Sequence, residues 1–194
     1  MQKQALEQPD YFVARCRAGL ESVVAEELRS LEAEVAFEAN RMVAFRGDNE
    51  AFYRANMGLR CAVEVLWPIR KFRAKNYDLL YYQCRKVNWP KLFGVEASLR
   101  IDVKGKSACF PNSQFTIHRI KDAITDTFKK LREGQRPNVA KRDPDIHVVA
   151  FFDRDEVTLY LDGSGEPLFK RGYRTAHGEA PLKEDLAAGI LKLT

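Results

Sequence analysis

Little in this chain points to redox, metal or membrane chemistry. Its 194 residues include four cysteines, Cys16, Cys61, Cys84 and Cys109, widely spaced and with no CxxC pair. That argues against zinc and against a disulfide framework, and predicts buried reduced thiols. Three histidines, His118, His147 and His177, stand at no metal-ligand spacing. The longest apolar runs, such as residues 148–152, fall far short of the roughly 18–20 residues that span a bilayer. The opening decapeptide, MQKQALEQPD, has no signal-peptide core, so a cytoplasmic protein is expected.

Catalytic motifs are equally scarce. Gly163-Ser164-Gly165 is not a nucleophile elbow, and GSGEP lacks the GK[ST] of a phosphate-binding loop. Such glycine pairs are most often turns. Asp143, Asp145 and His147 could form an acid/base group, but a turn leading into a strand is the commoner origin of that pattern. No residue is expected to be catalytic, and no metal site is expected.

What the chain does have is a concentrated positive charge. Residues 67–142 carry 18 Lys and Arg against 6 Asp and Glu, while residues 1–66 sum to −3 and residues 143–194 to −4, leaving the whole chain at +5. A +12 block between acidic flanks predicts a local field suited to a polyanion. Within it, SQFTIHRIKDAITDTFKKLREGQR (residues 113–136) reads as one amphipathic helix. Phe115, Ile117, Ile120, Ile124, Phe128 and Leu131 gather into an apolar stripe. His118, Arg119, Lys121, Lys129, Lys130 and Arg132 lie beside or opposite it. Ser113 and Thr116 are available N-caps, and Gly134 supplies the left-handed stop.

Residues 1–9 read as a disordered lead-in. Alternation predicts strands over 10–17, 34–38, 42–46 and 61–72, with helices over 20–31 and from Asp48, its N-cap, to Leu59. Pro68 marks a bulge or an edge. The order β-α-β-β-α-β is the ferredoxin-like plan, which names no function. A boundary is expected near residues 70–76. Beyond it come a helix over 77–87, a strand over 98–103, the loop KGKSACFPN, the basic helix, and a hairpin of 146–152 with 156–161. A short edge strand over 168–174 is a further expectation.

RNA recognition needs cations for phosphates and flat faces for unstacked bases. Around the basic helix the sequence offers Arg119, Lys121, Arg136, Lys141 and Arg142, then Lys170, Arg171 and Arg174. Tyr173 could stack, whereas Phe115 is expected in the core. The RRM aromatic signature and the KH GXXG loop are both missing.

Three blocks carry a resemblance: FTIHRIKDAITDTFKKLREGQRPNV, PDIHVVAFFDRDEVTLYLDGSGEPLFKRGYR and APLKEDLAAGIL. In this order they resemble the THUMP-containing RNA methyltransferases, nearest to the bacterial large-subunit (23S) rRNA guanine-N2 methyltransferase group. The resemblance implies an α+β chain with a ferredoxin-like domain over residues 10–72 and a THUMP RNA-binding domain over 73–174. Residues 175–194 would begin a Rossmann-like methyltransferase domain that the sequence does not contain. In the family, the THUMP module presents structured RNA to a domain that methylates the guanine exocyclic amine from S-adenosylmethionine. Carried over by residue, the resemblance places His118, Arg119, Lys121, Arg136, Lys141, Arg142, Lys170, Arg171 and Arg174 on the RNA-facing surface. Asp122 would orient a neighbouring cation or cap a backbone group. Phe169 departs from the family, where many relatives have a histidine.

The 194 residues contain neither a glycine-rich S-adenosylmethionine loop nor an Asn/Asp-Pro-Pro-aromatic tetrapeptide. The expectation is therefore a piece of a longer parent, inactive by itself and without a cofactor, while the parent would use S-adenosylmethionine. Its partners would be large-subunit rRNA, tRNA as second choice, and the missing catalytic domain in cis, with no membrane. The competing reading is a docking module whose basic face meets a protein or another domain.

Overall fold

The computed structural model describes residues 10–140, 142–172 and 181–194. Their contacts divide into two compact units, one of residues 68–161 and one of residues 10–67 together with 162–194.

The latter unit begins β1 (Phe12–Cys16), α1 (Glu21–Ser30), β2 (Glu34–Ala39), β3 (Met42–Arg46), α2 (Asn49–Gly58) and β4 (Ala62–Arg73). Its strands lie in the order β2-β3-β1-β4, and every pair is antiparallel. The period-two alternation of β1 sends Phe12, Ala14 and Cys16 into the core. There they meet Val24 and Leu28 of α1 and Phe52 and Ala55 of α2. Asp48 caps α2 as expected, its Oδ1 accepting from Ala51 N–H at 3.0 Å. This is the ferredoxin-like plan.

Residues 162–194 group with this unit, although the sequence suggests the second domain and the start of a third. Leu168 joins its core, and Leu186 and Ala188 of α5 (Glu184–Leu193) pack against it. Ion pairs to Arg17 and Glu27 fasten α5. Buried Asp185 accepts from Arg17 Nε at 2.6 Å. Lys192 Nζ lies 3.3 Å from Glu27, whose buried carboxylate also accepts from the N–H groups of Arg60 and Cys61, both at 3.1 Å. The Gly163-Ser164-Gly165 turn is structural. Ser164 Oγ accepts from Val65 N–H at 2.7 Å and lies 3.0 Å from Asn56 Oδ1. Residues 168–172 form no strand, because Leu168 turns inward and Lys170 N–H closes a turn on Pro167. The remainder of that expectation, residues 173–174, lies outside the described residues.

The other unit holds α3 (Tyr77–Arg85), β5 (Leu99–Lys106), α4 (Ser113–Leu131), β6 (Ile146–Asp153) and β7 (Glu156–Asp162). Here the later residues of β4 lead a sheet ordered β4-β7-β6-β5. β6 and β7 make the expected hairpin, with Arg154 at φ 57° in its turn. β5 and β6 run parallel, Ile101 facing Val148. Parallel neighbours need a long crossover, and α4 supplies it. Ile120, Ile124 and Phe128 bury the helix's apolar stripe against Trp89, Leu99 and Leu159.

The N-cap of α4 is Asn112, not Ser113 or Thr116. Its side chain accepts from Phe115 N–H at 2.9 Å, while the Thr116 hydroxyl bonds back to the Asn112 carbonyl. Gly134 stops the helix as expected, at φ 85°, donating to the Lys129 carbonyl. Phe115 is not a core residue. It is 50% exposed and lies edge-on to Tyr77, and Leu131 at the other end is 51% exposed.

Candidate nucleic-acid interface

With Ile120, Ala123, Ile124 and Phe128 facing inward, the 3.6-residue period turns the cations of α4 outward. Arg119 is the most constrained of them. Its guanidinium lies 4.5 Å from the ring centre of Tyr81 on α3, and one nitrogen is 2.7 Å from Asp78. Tyr81 in turn donates its hydroxyl to Asp126 at 2.7 Å. That bond, and then Lys129 at 3.5 Å, hold the Asp126 carboxyl below its ordinary range. Burial, followed by the Asp126 hydrogen bond, pushes the Tyr81 phenol up. Lys121 lies 3.1 Å from Asp122, so that acid orients a neighbouring cation. His118 is exposed, 3.3 Å from Gln114.

The other predicted cations divide. Arg136 and Arg142 are exposed on the connection from α4 to β6. Lys141, Tyr173 and Arg174 lie outside the described residues. Lys170 and Arg171 fold with the ferredoxin-like unit. Lys170 pairs with Glu166 at 3.6 Å, and Arg171 donates to the Asn56 and Leu59 carbonyls at 2.8 and 3.1 Å, covering the end of α2. The structure brings His118, Arg119 and Lys121 together on α4, while Lys170 and Arg171 belong to the other unit.

Two concave features flank α4 and escaped the sequence reading. One groove of about 440 Å³ is lined by Tyr82, Arg85, Lys86, Lys130 and Leu131. There Tyr82 is 59% exposed, and Lys86 Nζ sits 4.6 Å from its ring centre. A larger pocket of about 700 Å³ opens at the other end of α4, where Lys75, Lys106 and Arg154 enter its lining. The signal for the first was the YYQCRK run in α3. The cations of the second are far apart in sequence and carried none.

Asp143, Asp145 and His147 do not converge on one point. Asp145 accepts from the Ser98 N–H and hydroxyl at 2.8 and 2.7 Å, and those bonds hold its carboxyl below the usual range. His147 Nε2 faces Asp102 at 2.9 Å. The segment is a tied turn opening β6.

A family model described as the RlmL ferredoxin-like domain matches residues 11–66, and one described as the THUMP domain matches residues 74–162. Ribosomal RNA large subunit methyltransferase K/L of Cellvibrio japonicus (strain Ueda107) is 40% identical over 181 residues, or 93% of this chain and 24% of that relative. Among solved structures, a predicted N6-adenine-specific DNA methylase from Listeria monocytogenes str. 4b F2365 superposes with a TM-score of 0.83 at 32% identity. That match covers 95% of this chain and 48% of the other. SMU.472, a methyltransferase candidate complexed with SAH, superposes at 0.81 with 26% identity, covering 97% and 49%. The chain thus spans about a quarter of the curated relative and about half of each solved chain. The chain therefore carries an RlmL-type ferredoxin-like domain followed by a THUMP domain.

Proposed function

We propose that this chain grips structured RNA and presents it to the catalytic domain of a guanine-N2 rRNA methyltransferase in the cytoplasm. The observation that carries the reading is the outward cationic face of α4, with the Arg119 guanidinium held over the Tyr81 ring. Its acidic partners do not close that face to RNA. Asp78 is 91% exposed on its side chain, and such surface pairs contribute only about 0–1 kcal/mol. A phosphate can replace Asp78 at small cost. Large-subunit rRNA is the preferred ligand because the curated relative is a large-subunit enzyme. tRNA is the second choice.

S-adenosylmethionine is the methyl donor this reading gives the parent enzyme, as the SAH bound to SMU.472 suggests. The residues present here do not fit it. The tightest glycine pair, Gly163 and Gly165, sits in the turn after β7, where the Phe52 ring fills the space above Gly163. No step of methyl transfer is assigned to these residues.

The docking alternative has one observation in its favour: Ile190, Leu191 and Leu193 of α5 are 53%, 77% and 68% exposed. Binding of a large-subunit rRNA stem-loop, a tRNA and an unstructured oligonucleotide across a salt series separates the two readings. An RNA grip prefers a structured ligand and gives a log–log salt slope of about −0.7 to −0.9 per phosphate contacted. Arg119→Ala with Lys121→Ala flattens that slope and weakens binding about tenfold. Unchanged binding with both side chains gone removes α4 as the interface. No RNA binding by the intact chain removes the RNA reading.

A further inference from the structure

We propose that the groove of about 440 Å³ between α3 and α4 docks an acidic amphipathic segment of a partner protein. An apolar anchor of that segment enters beside Tyr82 and Leu131, and its carboxylates meet Arg85, Lys86 and Lys130. This holds whether or not α4 grips RNA.

Both helices end at the groove. Asp78 pairs with Arg119 and Tyr81 bonds Asp126, so α3 and α4 run side by side in one direction and bring their last turns together. Three cations stand in the lining, and no carboxylate joins them among the described residues. Each helix end carries about −0.5 of an elementary charge, which the three cations more than offset. Lys86 and Lys130 are exposed, and neither makes an ion pair with a described residue, whereas their neighbour Lys129 is held by Asp126. The same lining is apolar between its charges. Tyr82 is 59% exposed and Leu131 is 51% exposed, with buried Val87 beside them. Exposed apolar surface rimmed by positive charge complements an apolar anchor flanked by acids. The volume suits side chains and not a whole helix, so the anchor enters and the acids stay at the rim.

Two observations favour a protein segment over nucleic acid. Lys86 Nζ sits 4.6 Å from the Tyr82 ring centre, so the ring already holds a cation where a base would stack. Leu131 and Val87 are aliphatic, and a sugar-phosphate backbone gives them no apolar partner, whereas a leucine or phenylalanine does. The groove also stands apart from the cations at the start of the helix: Leu131 lies about 18 Å along α4 from Arg119.

The test uses the whole chain and a labelled synthetic peptide of about four helical turns, with leucine and phenylalanine on one face between glutamates. The chain should bind it and lose about tenfold when the two anchors become serine or the glutamates become glutamine. Tyr82→Ser/Leu131→Ser should lose about tenfold on the peptide and change less than about twofold on a stem-loop RNA. Lys86→Glu/Lys130→Glu should lose the acidic peptide and bind its lysine counterpart instead. All four side chains are exposed, so an unchanged unfolding midpoint verifies each variant's fold. Hydrogen exchange should slow over residues 82–88 and 127–131 on peptide addition. No binding of the acidic peptide by the intact chain, or equal binding by both variants, overturns the proposal. Stem-loop RNA that slows exchange in those two segments, and binds about tenfold more weakly to Tyr82→Ser/Leu131→Ser, overturns it too and gives the groove to nucleic acid.

Discussion

Glu27 is the side chain whose loss should most weaken the ferredoxin-like unit. It is 4% exposed, and its carboxylate accepts from two backbone N–H groups at the entrance to β4, those of Arg60 and Cys61. Glu27→Ala would leave both donors without an acceptor. An unsatisfied buried donor costs about 1–3 kcal/mol. The Cys61 group is buried and the Arg60 group only partly so. A total of about 3 kcal/mol is therefore expected, with Lys192 losing its partner as a smaller addition. Both N–H groups share one carboxylate oxygen, so Glu27→Gln can still accept both and should recover most of the loss, short of the Lys192 pair. The assay is urea unfolding followed by hydrogen exchange of peptides covering residues 57–66, read beside peptides from residues 115–130. Because the two units need not unfold together, the loss should appear in the first set alone. A loss below about 1 kcal/mol for Glu27→Ala, or an equal loss in both sets, would refute the reasoning.

The Asp126–Tyr81 bond predicts a pH dependence. Because the folded carboxyl is depressed below its ordinary value of 3.8, its contribution is complete above that value and fades as pH falls through the depressed one. Tyr81→Phe should flatten the acid limb of an α3–α4 stability profile, and an unchanged limb would show that the bond contributes nothing. The thiols should react in a fixed order with iodoacetamide at mildly alkaline pH. Half-exposed Cys109 goes first, while Cys84 and Cys16, the latter raised to about 12 by burial, and Cys61, raised to about 11, lag until the chain opens. Mass spectrometry of timed samples checks that order.

Local pattern carried most of the fold. Alternation located β1 to β4, a three-to-four spacing located α4, and Asp48 was readable as a cap because one strong oxygen acceptor stood before an apolar run. The readings that failed needed information from elsewhere. Asn112 and Ser113 are both good N-caps one residue apart, and composition cannot choose between neighbours. Phe115 and Leu131 continue the apolar stripe in sequence, yet the core beneath α4 is shorter than its 19 residues. Arg171 sits in a run that looks like an RNA-binding patch, but the carbonyls ending α2 take its guanidinium. Arg17 and Asp185 are 168 residues apart, so nothing in either neighbourhood announces the pair. Of the candidate interface, α4 was legible because its cations share one helix. The pocket was not, because Lys75, Lys106 and Arg154 come from three separate stretches of chain.

The ferredoxin-like unit is built from two separated stretches, residues 10–67 and 162–194, and this bears on the order in which the protein is made. Synthesis runs from the N-terminus, and domains usually fold as they emerge. Here the unit begun first is finished last: when residue 161 leaves the ribosome, Arg17 still lacks Asp185 and Glu27 still lacks Lys192. Helix α4 can therefore be complete while the module that precedes it remains open. A nascent chain paused at that point would offer a finished THUMP fold beside an unfinished partner, the stage at which a chaperone or a protease would find it most exposed.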